Sequence, residues 1–218
     1  MIRILGICGS RVKDGNTEAL LRAALQPLEA VPDTAGEILA LAGLDIQGCR
    51  HCNWCVRHQE ESRFCAQDDA MSLIYPRLVE ADAVLLASPA HFGRLSGHLA
   101  NMVDRLRVFV HGNRTRGRMK NKIGGALAVA YFRGGGLETT LLSINLLFFS
   151  LQMIVATSGL YQLGAGAVTS REGKGRFEKE PRHLVLEDDY GVNSARLLVG
   201  RMVELARIVQ AGQAALSK

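Results

Sequence analysis

Short apolar runs separated by helix-length segments recur along this chain, and that alternation constrains its fold more than any other feature. Ile2–Cys8, Ala83–Ala87 and Ile123–Ala130 are almost wholly apolar, as strands covered on both faces must be. Glu37–Leu41 and Ile154–Thr157 read as two further strands. Between them, apolar residues recur three and four positions apart. Asn16–Ala30 carries Leu20, Leu21, Ala24 and Leu28, and Asp69–Glu80 carries Met71, Ile74 and Leu78. Ser96–Val110, Leu137–Leu151 and Asn193–Ala211 complete the predicted helices. Five strands joined by helices need parallel crossovers, so the expected fold is α/β, a doubly wound five-stranded parallel sheet. Residues 1–218 read as one domain, with a cysteine-rich loop at 46–68 after the second strand. Gly173–Asp189 reads as a long surface excursion.

Composition excludes several classes. A hydrophobic share of 48% supplies a core without disulfide staples, and a net charge of +5 suits anionic cofactors without calling for nucleic acid. The opening MIRILGICGS lacks the basic, then apolar, pattern of a secretory leader. The expected compartment is therefore the cytoplasm, where cysteines serve metals or catalysis more than disulfides. The apolar stretch from Leu141 is broken by Ser143, Asn145, Ser150 and Gln152, and reads as a buried helix entering a strand rather than a membrane span.

Ligands of open parallel sheets bind beyond the carboxyl ends of the strands. The loop after the first strand, GSRVKDGNT, leads into a helix whose free N–H groups favour an anion, with Arg11 and Lys13 nearby. It has neither the P-loop ending nor the GxGxxG pattern. The loop after the third strand, SPAHFGRLSG, offers the rings of His91 and Phe92. The loop after the fourth, YFRGGGLE, carries three successive glycines that let backbone approach a flat ligand.

Four of the five cysteines, Cys49, Cys52, Cys55 and Cys65, fall in the run GCRHCNWCVRHQEESRFC. A C-x2-C-x2-C run with a fourth cysteine beyond resembles ferredoxin ligation of an iron–sulfur cluster. Zinc is the rival, held by four thiolates or by three with His51 or His58; free or redox-active thiols are the third reading. Trp54 would shield one side of a cluster or simply pack at the surface. Cys8 reads as a small buried residue. The basic stretch Arg105–Lys122 reads as a solvated loop, with the phosphate of NADPH or an acidic electron-transfer protein as its functional alternatives.

Taken together, the GS…GNT loop, SPAHFGRLS and GGGLETTLL resemble the flavodoxin-like NADPH-dependent FMN reductases. The cysteine motif, followed by Asp68, Asp69 and Met71, resembles the iron–sulfur flavoproteins within that family. The resemblance implies strand order 2-1-3-4-5. It implies FMN, with Ser10, Arg11, Asn16 and Thr17 at the phosphate. Pro89, Ala90, His91, Phe92, Gly93, Arg133, Gly134 and Gly135 would line the isoalloxazine. It implies a [4Fe–4S] cluster on the four cysteines, a ferredoxin-like or NAD(P)H donor, a small acceptor such as a quinone or an oxygen species, and a homodimer or homotetramer. No catalytic acid or base is implied. The alternatives are an NADPH-dependent FMN or quinone reductase with a structural, zinc-type cysteine loop, and a non-enzymatic flavin- or metal-binding module. The nine-residue spacer between Cys55 and Cys65 is longer than the family's usual gap.

Overall fold

The computed structural model describes residues 1–178 and 180–217. Its strands are β1 (Ile2–Cys8), β2 (Thr34–Ala40), β3 (Ala83–Pro89), β4 (Ile123–Ala130), β5 (Ile154–Ala156) and β6 (Ala165–Val168). They form one parallel sheet in the order β2-β1-β3-β4-β5, as expected. The fifth position is shared. β5 pairs with Ile123–Gly125 of β4, and β6 pairs with Leu127–Ala130 further along the same strand. The expected single strand Ile154–Thr157 is thus only the first half of that position. The second half, AGAV, is too small-sided to stand out as an apolar run. Its small residues have a use: a Cβ added at Gly191 would lie 2.4 Å from the Ala167 Cβ, so the last helix packs almost backbone to backbone on β6.

The helices are α1 (Asn16–Leu25), α2 (Trp54–Arg57), α3 (Met71–Glu80), α4 (Gly97–Arg105), α5 (Arg107–His111), α6 (Leu137–Ser150) and α7 (Asp189–Leu216). Successive strand residues face opposite sides, so two cores form. Ile4, Leu85 and Leu127 pack with Leu20, Leu21, Leu198 and Met202 of α1 and α7. Leu5, Val84 and Leu86 pack with Ile74, Leu99, Met102 and Ile144 of α3, α4 and α6. The apolar stretch from Leu141 is a helix running into a strand, but it is not buried throughout as expected: Leu142, Leu146, Phe149 and Ile154 are exposed, and no described helix is long and apolar enough to cross a membrane.

Helix ends differ from the expected ones. α3 starts at Met71, two residues after Asp69, whose Oδ1 accepts from the Met71 N–H. Asp188 accepts from the Gly191 N–H and α7 begins at Asp189, not Asn193, because capping rather than apolar periodicity sets its start. The expected helix Ser96–Val110 turns at Leu106 into two shorter ones.

Candidate functional site

Parallel pairing brings the carboxyl ends of β1, β2, β3 and β4 to one edge of the sheet. The loop after β1 enters α1 through Gly15, and the first turn of α1 has no side-chain cap. Ser10 is buried and its Oγ accepts the Val12 N–H at 3.1 Å; Thr17 is buried and Arg11 exposed. Asn16 has a task besides any at the phosphate. Its Oδ1 accepts the Val185 N–H at 2.9 Å, tying the 182–187 segment across the loop. Arg182 pairs with the Asp14 carboxylate at 3.0 Å, and His183 Nε2 lies 3.0 Å from the Asp14 carbonyl.

Two serines lock the loop after β3. Ser96 caps α4 by accepting the Leu99 N–H and donates to the Gly9 carbonyl at 2.6 Å, while its own N–H donates to Ser88 Oγ. Between them, Pro89 and Ala90 are half-buried, and His91–Arg94 closes a tight turn in which the end residues exchange backbone hydrogen bonds. Its central residues, Phe92 (φ +52°) and Gly93 (φ +73°), are both left-handed. That conformation suits Gly93 and strains Phe92, whose ring is fully exposed.

The loop after β4 bends at Gly134 (φ +77°) and Gly136 (φ +86°). A Cβ on Gly136 would stand 2.5 Å from the Gly93 Cα, so the two loops meet backbone to backbone. A strip that the sequence reading left as surface excursion backs this loop. The Arg133 N–H donates to the Gly173 carbonyl at 2.8 Å, the Tyr131 hydroxyl to Gly175 at 2.6 Å, and Phe177 stacks on Tyr131 with centroids 4.7 Å apart. An uncapped helix start beside two loops open enough for backbone contact fits a flat ring system carrying a phosphate.

The cysteine loop leaves the same edge, after β2. Left-handed His51 (φ +55°) and Asn53 (φ +59°) bend the chain between successive cysteines. Cys55 is buried, Cys49 and Cys65 half-buried and Cys52 exposed, and all are free thiols. The His51 N–H points at Cys49 Sγ (3.4 Å) and Arg107 Nη1 at Cys55 Sγ (3.9 Å). Burial pushes the Cys55 thiol up, Arg107 lowers it, and Cys65, Cys49 and Cys52 are close enough to raise it again. Among the described residues no three His, Cys, Asp or Glu side chains gather tightly enough to hold a single metal ion. Four thiols with N–H donors aimed at two of them have the chemistry that would fit an iron–sulfur cluster. Cys8, as expected, is buried, its thiol pushed up to about 11 by desolvation.

Two buried clasps shape this loop, and neither was read from the sequence. Asp69 and Arg105 form a paired contact (2.6 and 3.2 Å) with side chains 3% and 1% exposed; Arg105 also donates to the Gln47 carbonyl, and the Gln47 N–H donates to Asp69. The two ends of the loop are thereby held to one guanidinium. Burial alone would raise the Asp69 carboxyl, but Arg105 and the N–H groups of Gln47 and Met71 hold it below its ordinary 3.8. The second clasp is Gln59, whose amide donates to the Phe64 carbonyl and Thr115 hydroxyl and accepts from the Arg114 and Thr115 N–H groups. Glu60 and Arg63 close a tight turn, and Phe64 stacks on Tyr75 at 5.1 Å. The long spacer is therefore folded, running from α2 around one tight turn. The basic stretch is corrected in the same place: Arg105 is buried and Arg107 turns to Cys55, because both have partners in the loop, while Arg114, Arg116, Arg118 and Lys120 remain exposed.

One cavity of about 410 Å3 joins the two regions. Arg11, His91, Ser96 and Asn101 line it from the β1 and β3 side, and Asp45 to Gln47 from the root of the cysteine loop.

Comparison with known proteins agrees with this geometry. The model of the NADPH-dependent FMN reductase family matches residues 2–167. An iron–sulfur flavoprotein of Methanocaldococcus jannaschii is 32% identical over 96% of this chain and 100% of its own length. One of Archaeoglobus fulgidus is 30% identical, covering 93% and 96%. Among solved structures, RosB with bound 8-demethyl-8-formylriboflavin-5'-phosphate has the same fold at a TM-score of 0.74 and 15% identity, over 100% of this chain and 87% of that one.

Proposed function

The chain belongs to the NADPH-dependent FMN reductase family, in its iron–sulfur flavoprotein subgroup, and from that premise we propose a two-centre electron-transfer enzyme. It is a flavin-dependent oxidoreductase. FMN lies on the three-loop edge, and Cys49, Cys52, Cys55 and Cys65 hold a [4Fe–4S] cluster. One observation carries this reading: the cysteine loop leaves the sheet at the same edge as the three loops, and its root shares a cavity with two of them, those after β1 and β3.

When bound, FMN supplies hydride and single-electron chemistry and the cluster supplies single-electron exchange. The protein's part is to bind and orient. The α1 amides, Ser10, Thr17 and Arg11 hold the phosphate. Asn16 holds the 182–187 segment over that loop. Pro89–Gly93 and Arg133–Gly135 flank the ring, and Arg133 offsets negative charge there. No side chain is assigned as acid or base. A zinc ion with bonds near 2.3 Å would draw its sulfurs to about 3.8 Å of one another. Among the described residues no three such side chains gather that closely, and the four cysteines would hold a cluster through their thiolates.

The cluster face suits an acidic carrier such as a ferredoxin. Arg50, Arg57 and Arg63 on the loop and Arg114 beside it are exposed and form no ion pair among the described residues. NAD(P)H is the alternative donor, and the acceptor is a small molecule such as a quinone. Leu142, Leu146 and Phe149 form an exposed apolar stripe on α6, in keeping with a homodimer or homotetramer. Free thiols accord with the reducing cytoplasm.

The test is a visible spectrum with flavin, iron and labile-sulfide analysis after anaerobic purification. Flavin bands with iron and sulfide in cluster ratio are expected; flavin with zinc and no iron would replace the cluster reading by the FMN/quinone reductase with a structural loop. Cys52→Ser should abolish iron binding and leave flavin nearly intact. Fast reduction by reduced ferredoxin, slowed by salt, supports the protein donor, whereas rapid bleaching by NADPH alone would overturn it.

A further inference from the structure

Two cations of the basic stretch turn inward: Arg105 holds the two ends of the cysteine loop, and Arg107 faces the cysteines themselves. Arg107 is the first residue of α5, and its guanidinium spans two residues of the loop. Nη2 donates to Asn53 Oδ1 at 2.7 Å, and Nη1 points at Cys55 Sγ at 3.9 Å. Cys55 is the most buried of the four thiols. Asn53 sits in the left-handed bend between Cys52 and Cys55, so the same bend that aims the cysteines also aims the guanidinium. The backbone fixes this placement from the other side. The Asn113 N–H, just beyond α5, donates to the Cys55 carbonyl at 3.0 Å, and the Gln59 N–H donates to Asn113 Oδ1 at 3.2 Å. Loop and α5 therefore move as one piece, with the charge held against the sulfur.

We infer that Arg107 is a positioning residue that sets the redox poise of the cysteine-bound centre by donating to the Cys55 sulfur, with Asn53 as its guide. This rests on the cluster reading. One-electron reduction adds one negative charge to the thiolate-ligated centre without making or breaking a covalent bond. A fixed cation and an N–H donor at one ligand sulfur stabilise that added charge more than the oxidised state. The effect is larger at Cys55 than it would be at exposed Cys52, because water screens a buried sulfur less. Loss of the guanidinium thus makes the centre harder to reduce.

The experiment compares wild type, Arg107→Lys, Arg107→Gln and Asn53→Gly, each loaded anaerobically with iron and sulfide. Iron and sulfide are counted first, and then the midpoint potential of the cluster is measured by dye-mediated titration followed by its low-temperature EPR signal. Wild type without a cluster would sink the cluster reading itself and is recognised at the counting step. With clusters present, Arg107→Gln should give the most negative potential. Arg107→Lys should fall between it and wild type, since charge is kept and the fork geometry lost. Asn53→Gly keeps the left-handed backbone and should shift the potential in the same direction by less. Potentials that stay at the wild-type value in loaded Arg107→Gln overturn the inference. So does loss of the cluster in Arg107→Gln with full loading and a wild-type potential in Arg107→Lys, which would make Arg107 a purely structural charge.

Discussion

The flavin edge and the cysteine loop leave the same sheet edge and are built on opposite principles. The flavin edge is shaped by backbone. Its loops turn at Gly93, Gly134 and Gly136, touch Cα to Cα, and are fixed by short serine bonds to neighbouring carbonyls. The cysteine loop holds only the four-residue helix α2, and side chains shape it. Asp69 with Arg105 gathers its ends, and Gln59 with Thr115 gathers its middle. A backbone-built site should tolerate lost polar side chains and fail when a Cβ is added. A clasp-built site should do the reverse.

The largest effect is expected from breaking the buried ion pair. Asp69→Asn leaves the Arg105 charge uncompensated in a dry setting, and such losses cost about 3–5 kcal/mol. Urea unfolding should show that loss, and the purified protein should lose most of its iron while retaining flavin. The double variant Asp69→Asn with Arg105→Met should recover part of the stability, since no lone charge is left buried. Acid reports on the same clasp. The Asp69 carboxyl is held below its ordinary value in the fold, so its stabilisation is complete above that value and is lost as pH falls through the lower, folded one. The wild-type urea midpoint of the iron-free protein should therefore decline below about pH 4 more steeply than that of Asp69→Asn. Equal loss of flavin and iron in Asp69→Asn would erase the contrast between the two regions.

Gly136→Ala tests the other side. An alanine in left-handed backbone costs about 1–2 kcal/mol, and here its Cβ would meet the Gly93 backbone at 2.5 Å, where nothing flexible can yield. Flavin retention should fall sharply with iron and sulfide unchanged, read from the ratio of flavin absorbance to iron. Retained flavin with lost iron would invert the assignment of both regions.

This contrast also explains what the sequence made legible. The strands, the three loops and the spacing of the cysteines follow from apolar runs, glycines and short motifs, all local along the chain, while the strand order comes from the family resemblance. Ser96 was visible within SPAHFGRLS, though not as the residue that reaches the Gly9 carbonyl 87 positions away. The clasps were invisible because their halves are far apart. Arg105 reads as one more base in a basic stretch, and nothing local marks Gln59; only the fold brings Asp69 and Thr115 against them. The Arg133–Gly173 pairing is hidden for the same reason, and so is β6, whose small residues carry no apolar signal. Asn16 shows the converse. Its motif suggests a phosphate ligand, and its side-chain oxygen has a second task the motif does not announce, accepting the Val185 N–H.

The smallest effect, and the sharpest on the flavin side, belongs to Phe92. A bulky residue in left-handed backbone is strained, and this ring is fully exposed, so it gains no packing within the chain to offset that strain. Phe92→Gly removes the strain at the cost of a more flexible unfolded chain, and the net change should be stabilising by about 1 kcal/mol or less. If the ring's role is to lie against the isoalloxazine, the same substitution should weaken FMN binding. Thermal unfolding of the flavin-free protein and flavin titration by fluorescence quenching measure the two changes separately. A higher midpoint with poorer flavin affinity would show that strain is kept at this turn for the ligand. A lower midpoint with unchanged affinity would show that Phe92 packs on something other than FMN, and would remove it from the flavin edge.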